Sequence, residues 1–226
     1  MADQAFPDLT GLPGTLAREL SAASRLMVYA PGEAVARVGE RCDPGVVLEG
    51  LLRISIRSDD GRRATLRYIR KGESFGVESL FQPMSHTVMA VTSSSVAHYD
   101  RLSTEQLMRR HPVLAVRIAH RLAESIREMD ESAVLCAFMN VSQRVVHHLV
   151  AMATPGQGGA FAAVSQQELA DAVGSVREVV ARVIRDLRAQ HIIETSRSGI
   201  SITNELALYR YGAEPSRIQR LQDRRN

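Results

Sequence analysis

Apolar positions along the chain fall into three successive patterns. From Leu26 to about Tyr99, short alternating or wholly apolar runs are separated by turn residues. The turns are Pro31-Gly32, Gly39-Glu40, Asp43-Pro44-Gly45, Ser58-Asp59-Asp60-Gly61 and Lys71-Gly72. The runs Val46–Leu48, Leu51–Arg57, Ala64–Ile69 and Val88–Val91 predict strands, and Asp60-Gly61 between two of them predicts a hairpin. Many short, evenly spaced antiparallel strands imply a sandwich or jelly-roll barrel. Residues 1–25 read as a lead-in with a short helix, Leu16–Ala23.

The second pattern is helical, from Val113 to Phe138. Ala115, Ala119, Leu122, Ile126, Met129, Ala133, Cys136 and Asn140 step alternately by four and three. That is a heptad seam, as in two helices packed along their length. Such a stripe packs either on a second copy or on its own barrel. Asn140, three residues before Gln143, can alternatively cap a next helix, Val141–Met152. Thr154-Pro155-Gly156-Gln157-Gly158-Gly159 then reads as a loop.

The third pattern is the most informative. Ser165-Gln166-Gln167-Glu168 has the S-x-x-E form of a capping box, in which serine and glutamate side chains satisfy free amides at a helix start. Leu169, Ala170 and Val173 give the short helix an apolar face, and Gly174 permits a sharp turn. Ser175-Val176-Arg177-Glu178 reads as a second capping box. Val176, Val179, Val180, Val183, Ile184 and Leu187 predict one buried face of the helix it opens. Ile192–Thr195 and Ile200–Thr203 then form a hairpin, with Arg197-Ser198-Gly199 in its turn. Two helices about a glycine turn, followed by a hairpin, make a winged helix-turn-helix, whose partner is double-stranded DNA.

The second of these helices is the one that enters a major groove, with its N-terminal residues toward the base edges. Arginine donates two hydrogen bonds to guanine, and glutamate accepts one from cytosine. Arg177 and Arg182 are therefore candidates for guanines and Glu178 for a cytosine. Ser165, Gln166, Gln167, Ser175 and, from the wing, Arg197 are further candidate DNA contacts. The bland alternative is a helix cap at Glu178 and a solvated basic face. A reader of two half-sites needs two copies, which favours a parallel homodimer through the 113–138 seam.

Composition adds little and excludes more. The 226 residues are 45% hydrophobic but only 4% aromatic, so aliphatic packing must build the cores. The formal charge is +3, and from residue 142 onward 11 arginines face eight acidic residues. Cys42 and Cys136 are the only cysteines, neither a disulfide framework nor a zinc pattern, which fits a reducing cytoplasm. No signal peptide is expected, and no apolar stretch reaches the roughly 18 residues of a membrane span. The basic tail Arg217–Asn226 is a candidate for phosphate contacts.

With barrel, long helix and winged helix-turn-helix in that order, nearly the whole chain resembles the Crp/Fnr family of bacterial transcription regulators. Glu49-Gly50-Leu51-Leu52-Arg53, Lys71-Gly72-Glu73-Ser74-Phe75-Gly76 and Ala137-Phe138-Met139-Asn140-Val141 carry the resemblance beside residues 165–188. It implies an α+β chain. Residues 1-110 form an antiparallel jelly-roll barrel of the cyclic-nucleotide-binding type, 111-139 a dimerisation helix and 140-226 a winged helix-turn-helix. It also implies RNA polymerase as a partner, no enzyme activity, and TGTGA-like half-sites in inverted repeat. Gln166 departs from an arginine usual in such readers.

The effector pocket departs further. The family's cyclic-nucleotide site uses a Gly-Glu pair, an Arg-Ser pair and polar residues on the dimer helix. Here Gly76 precedes Val77 and Glu78, and residues 82–88, including His86 and Thr87, hold no arginine. Met129 and Asp130 replace the polar pair. A phosphate needs a fixed cation or several aimed amides to offset its desolvation. Cyclic AMP is therefore not expected to control this chain in the usual way. An iron–sulfur cluster needs about four thiolates, which two cysteines do not supply. Haem remains an alternative through His86 or His98, as does an inter-subunit switch at Cys136. Two other classes are alternatives: a sensor acting through protein contacts, and a metal-dependent cupin-like enzyme. His147-His148, adjacent on a helix, lack cupin ligand spacing.

Overall fold

The computed structural model describes residues 12–59, 61, 63–156 and 159–213, without the side chains of 134–136, 155 and 156. The Asp60 half of the hairpin signal, the Cys136 side chain and the tail from Arg217 onward lie outside the described residues. The chain divides into two units, one of residues up to 56 with 66–131, the other of residues 57–65 with the chain from 132 onward.

The first unit opens with helix α1 (Gly14–Ala22) and continues into strands β1 (Ser24–Tyr29), β2 (Ala34–Ala36), β3 (Gly45–Glu49) and β4 (Leu52–Arg57). Strands β5 (Arg63–Ile69), β6 (Ser74–Phe75), β7 (Thr87–Ala90) and β8 (Ser94–Tyr99) complete two four-stranded sheets. Their orders are β1-β8-β3-β6 and β2-β7-β4-β5, an antiparallel jelly roll. A 3-10 turn, Val77–Leu80, lies between β6 and β7. Helices α2 (Arg101–Arg110) and α3 (Pro112–Phe138) follow.

Two cores share the first sheet. Tyr29, Val47, Leu52, Ile69, Phe75, Val88 and Val96 pack between the sheets. Val46, Ala97 and Tyr99 face the other way, against Leu16 and Leu20 of α1, Leu107 of α2 and Leu114 and Ile118 of α3. Successive strand residues point to opposite faces, so a strand covered on both sides is apolar without alternation. This is the reason for the unbroken Val46-Val47-Leu48. Gly50, between β3 and β4, has φ 90°, and a Cβ there would sit 2.5 Å from the Ser93 carbonyl oxygen. Only glycine fits that approach.

In the second unit, α4 (Val141–Met152) carries the capping box expected from Asn140 and Gln143. The Gln143 amide donates to Asn140 Oδ1 and the Asn140 amide to Gln143 Oε1, each at 3.0 Å. Helices α5 (Gln166–Val173) and α6 (Arg177–Ala189) form the helix-turn-helix, and β11 (Ile193–Thr195) pairs with β12 (Ile200–Ile202) as the wing. The segment expected as a loop is a hairpin of β9 (Thr154–Gly156) and β10 (Gly159–Ala162), which extends the wing sheet in the order β11-β12-β10-β9. Proline and glycine hid it: β9 is an edge strand, where a missing amide is tolerated. Helix α7 (Glu205–Ala213) closes the described chain.

Candidate nucleic-acid interface and effector pocket

Helix α5 starts on the capping box expected from the sequence. The Glu168 amide donates to Ser165 Oγ at 3.2 Å, and the Ser165 amide donates to Glu168 Oε2 at 2.8 Å. It ends on Gly174 at φ 64°, where the Ser175 amide donates to the Ala170 carbonyl at 3.0 Å and the Gly174 amide to Asp171 at 3.4 Å. This double closure satisfies carbonyls at the helix end and sets the turn.

The second capping box does not form. The cap of α6 is Val176, one residue later, without a side-chain cap bond. Ser175 is drawn into the closure of α5, so its hydroxyl is out of position for the next helix. Val176 is correspondingly 56% exposed rather than part of the buried face. Val180, Val183, Ile184 and Leu187 do form that face, with Val179 half-buried. Sequence periodicity missed the consequence: Val176 presents an apolar group beside Arg177, of the kind that meets a thymine methyl. Periodicity could not have found it, because Val176 stands three and four residues before Val179 and Val180, in step with the stripe.

Arg177, Glu178 and Arg182 are all exposed, Arg177 at the first position of α6 and Glu178 and Arg182 opposite its buried face, with Arg185 a turn further along. Glu178 and Arg182 stand four apart, the spacing of a helical ion pair, yet no ion pair joins them, or involves Arg177, among the described residues. Their hydrogen-bonding groups are therefore presented outward. The positive end of the α6 dipole adds to the attraction for an anionic backbone. Arg197 is exposed at the wing tip, and Ser165 and Gln167 are exposed at the start of α5, with Gln166 half-buried. Gln167 Nε2 already donates to Asp171 Oδ1 at 2.9 Å.

In the first unit, Gly76 adopts φ 72° and caps the 3-10 turn that holds Val77 and Glu78. His86 Nε2 lies 3.0 Å from Glu78 Oε1. Burial is the largest single influence and opposes the Glu78 charge, but His86, the backbone amide of Glu78 and the Arg67 charge together outweigh it and hold the carboxyl below its ordinary value. Thr87 follows on β7, half-buried. Met129 and Asp130 are exposed on α3. His98 is buried with both nitrogens engaged, Nε2 with Tyr29 Oη at 2.8 Å and Nδ1 with the Asp43 carbonyl at 3.2 Å. Burial pushes its pKa down. Burial likewise pushes the Cys42 thiol up to about 11. Among the described residues, no group of three His, Cys, Asp or Glu is placed to hold a metal ion.

A polar node that the sequence did not reveal lies nearby. Arg121 Nε donates to Ser74 Oγ at 2.8 Å, and its Nη1 and Nη2 reach Glu128 Oε1 and Oε2 at 3.3 and 3.2 Å. Arg67 donates from Nη1 to the same Glu128 and from Nη2 to the Ser74 carbonyl at 3.1 Å. Burial lowers the Arg67 pKa. Arg67 and Ser74, seven residues apart, meet Arg121 from 47 residues or more away in sequence, and of the node's members only Glu128 lies on the same helix as Arg121.

The description Cyclic nucleotide-binding domain matches residues 26–111, and Crp-like helix-turn-helix domain matches residues 143–211. The transcriptional regulator LdrP of Thermus thermophilus is 31% identical over 168 residues, covering 72% of this chain and 83% of its own length. The cAMP-activated global transcriptional regulator CRP of Pasteurella multocida is 24% identical over 174 residues, covering 73% and 83%. Among solved structures, a CRP-family transcriptional regulator of Thermus thermophilus superposes with a TM-score of 0.68 at 26% identity. It covers 83% of this chain and 97% of that one.

Proposed function

This chain belongs to the Crp/Fnr family of transcription regulators, and from that premise we propose that it reads a TGTGA-like inverted repeat as a homodimer. One observation carries the reading: Arg177, Glu178 and Arg182 stand exposed and unbridged on a helix whose other face is buried. Two such helices, about 34 Å apart, would meet successive major grooves on one side of the duplex. The second copy packs along the α3 seam, where Ile126 is 62% and Met129 51% exposed. In this reading residues 1-110 are the effector unit, 111-139 the dimerisation helix and 140-226 the DNA-binding unit. The protein works in the cytoplasm with RNA polymerase as its partner, and has no catalytic role.

Cyclic AMP does not control it in the usual way. Glu78, the acidic residue nearest to Gly76, is already engaged by His86. The segment from Gln82 to Val88 contains no arginine, and Met129 and Asp130 offer a thioether and a negative charge toward any anion. The test is fluorescence-anisotropy binding to a TGTGA–N6–TCACA duplex and a scrambled control, at fixed salt, with and without cyclic AMP. Salt is fixed because phosphate contacts alone make affinity steeply salt-dependent. Preference for the palindrome without cyclic AMP is the expected result. A preference that arises only with cyclic AMP overturns the effector reading, and equal binding to both duplexes overturns the assigned site.

A further inference from the structure

Val176 is a poor residue for the place it holds. It caps α6 in an extended conformation and brings no side-chain acceptor to the free amides of the first turn. Serine, threonine, aspartate and asparagine stabilise a helix at this position, and valine ranks far below them. Helices α4, α5 and α7 of the same unit follow that rule. They begin at Asn140, Ser165 and Asn204, and each of these side chains accepts an amide of the first turn, at 3.0, 3.2 and 3.0 Å. Packing does not explain the valine either. Val176 is 56% exposed, whereas Val180, four residues further along the same stripe, is fully buried. Neither capping nor burial therefore accounts for an apolar side chain at the tip of α6, next to the exposed Arg177.

Base edges in a major groove carry one apolar group, the C5-methyl of thymine. A recognition helix brings its N-terminal residues to those edges. We propose that Val176 is a specificity-determining residue, whose side chain packs on the C5-methyl of the thymine next to the guanine taken by Arg177. The contact removes two apolar groups from water, which a capping hydroxyl in the same place would not do. Stability of the helix start is given up for recognition. The inference rests on the regulator reading and deepens it, because it adds a thymine read by apolar contact to the bases read by hydrogen bonds. In a TGTGA half-site the guanines have thymine neighbours, so the contact has a place there.

The test uses the full chain, with fluorescence anisotropy at fixed salt. Deoxyuridine replaces thymine in the TGTGA–N6–TCACA duplex, one symmetric pair at a time. Each replacement removes a methyl group and leaves every hydrogen-bonding group of the base in place. At one thymine beside a guanine it is expected to weaken wild-type binding about fourfold for each half-site, the effect of one methyl group left without its contact. Val176→Ser is expected to bind the thymine and deoxyuridine duplexes equally. The same variant is expected to melt at or above the wild-type temperature, because it supplies a capping hydroxyl. Wild-type affinity that is unchanged by deoxyuridine at every thymine overturns the proposal, and so does a penalty that persists in Val176→Ser. A marked drop in the melting temperature of the variant assigns Val176 to the fold and also overturns it. Equal binding to the palindrome and a scrambled control is instead a failure of the half-site reading. The deoxyuridine series then runs on the sequence that the full chain enriches from random duplexes, and the same outcomes decide.

Discussion

Arg177, Glu178 and Arg182 occupy the first two turns of α6 and are all exposed, Glu178 and Arg182 on the side opposite Val180, Val183 and Ile184 and Arg177 at the helix start. If each arginine takes one guanine, Arg182→Ala relaxes preference at a single base pair by about 1–3 kcal/mol and leaves nonspecific binding nearly intact. A footprint over single-base variants of the palindrome checks this, and unchanged preference at every position refutes the assignment. His98 gives a prediction of another kind. Its pKa in the folded chain lies below the ordinary 6.5, because it is buried against Tyr29 and Phe75. The unfolded chain therefore takes up the proton first, and stability is lost as pH falls below about 6.5. His147, also depressed by burial, contributes in the same direction. Melting temperatures between pH 7.5 and 5.5 are expected to fall with pH, less steeply for His98→Gln. An identical slope in the variant would show that this residue carries none of the effect.

At the level of elements, the helix-turn-helix depends on how α5 ends. Gly174 holds a left-handed conformation, and its closure takes Ser175 away from the cap of α6. An ideal Cβ at Gly174 meets nothing closer than 3.6 Å, so alanine there costs conformational strain rather than a clash. Gly174→Ala is expected to destabilise the second unit by about 1 kcal/mol, through the left-handed penalty. Denaturation followed by far-ultraviolet circular dichroism measures it. The capping boxes at Asn140 and Ser165 were legible because both partners lie within one turn of chain. The one at Ser175 was misread because two adjacent helix ends compete for the same residue, and a motif read alone contains no competitor. The β9–β10 hairpin escaped for a related reason: its pairing with β12 is set by the wing, some forty residues away.

For the whole molecule, the long helix presents two faces with different fates. Leu114 and Ile118 pack against β3, β8 and α1, while Ala119, Ile126, Met129 and Ala133 stay exposed. The stripe read as a seam is thus largely the side that its own barrel leaves uncovered, with Ala115 and Leu122 partly buried. If a second copy covers it, Ile126→Asp places a charge in an apolar interface and weakens self-association by about tenfold or more. Sedimentation equilibrium reads this directly, and palindrome affinity should fall in parallel. An unchanged association constant would remove α3 as the dimer surface.

The sequence by itself determined the order of the parts, most of the barrel strands, the long helix and the reading helix, because each rests on a short-range period, cap or turn. It also exposed where the effector region departs from the family pattern, since missing arginines are visible without coordinates. Tertiary structure alone decided that Val46-Val47-Leu48 serves two cores and that Val176 faces outward. It alone brought Arg67, Ser74, Arg121 and Glu128 together around one carboxylate. The physical reason is the same in each case. Periodicity records which side of an element is apolar, but which other element arrives at that side, or which charges meet across it, depends on contacts between distant stretches of chain.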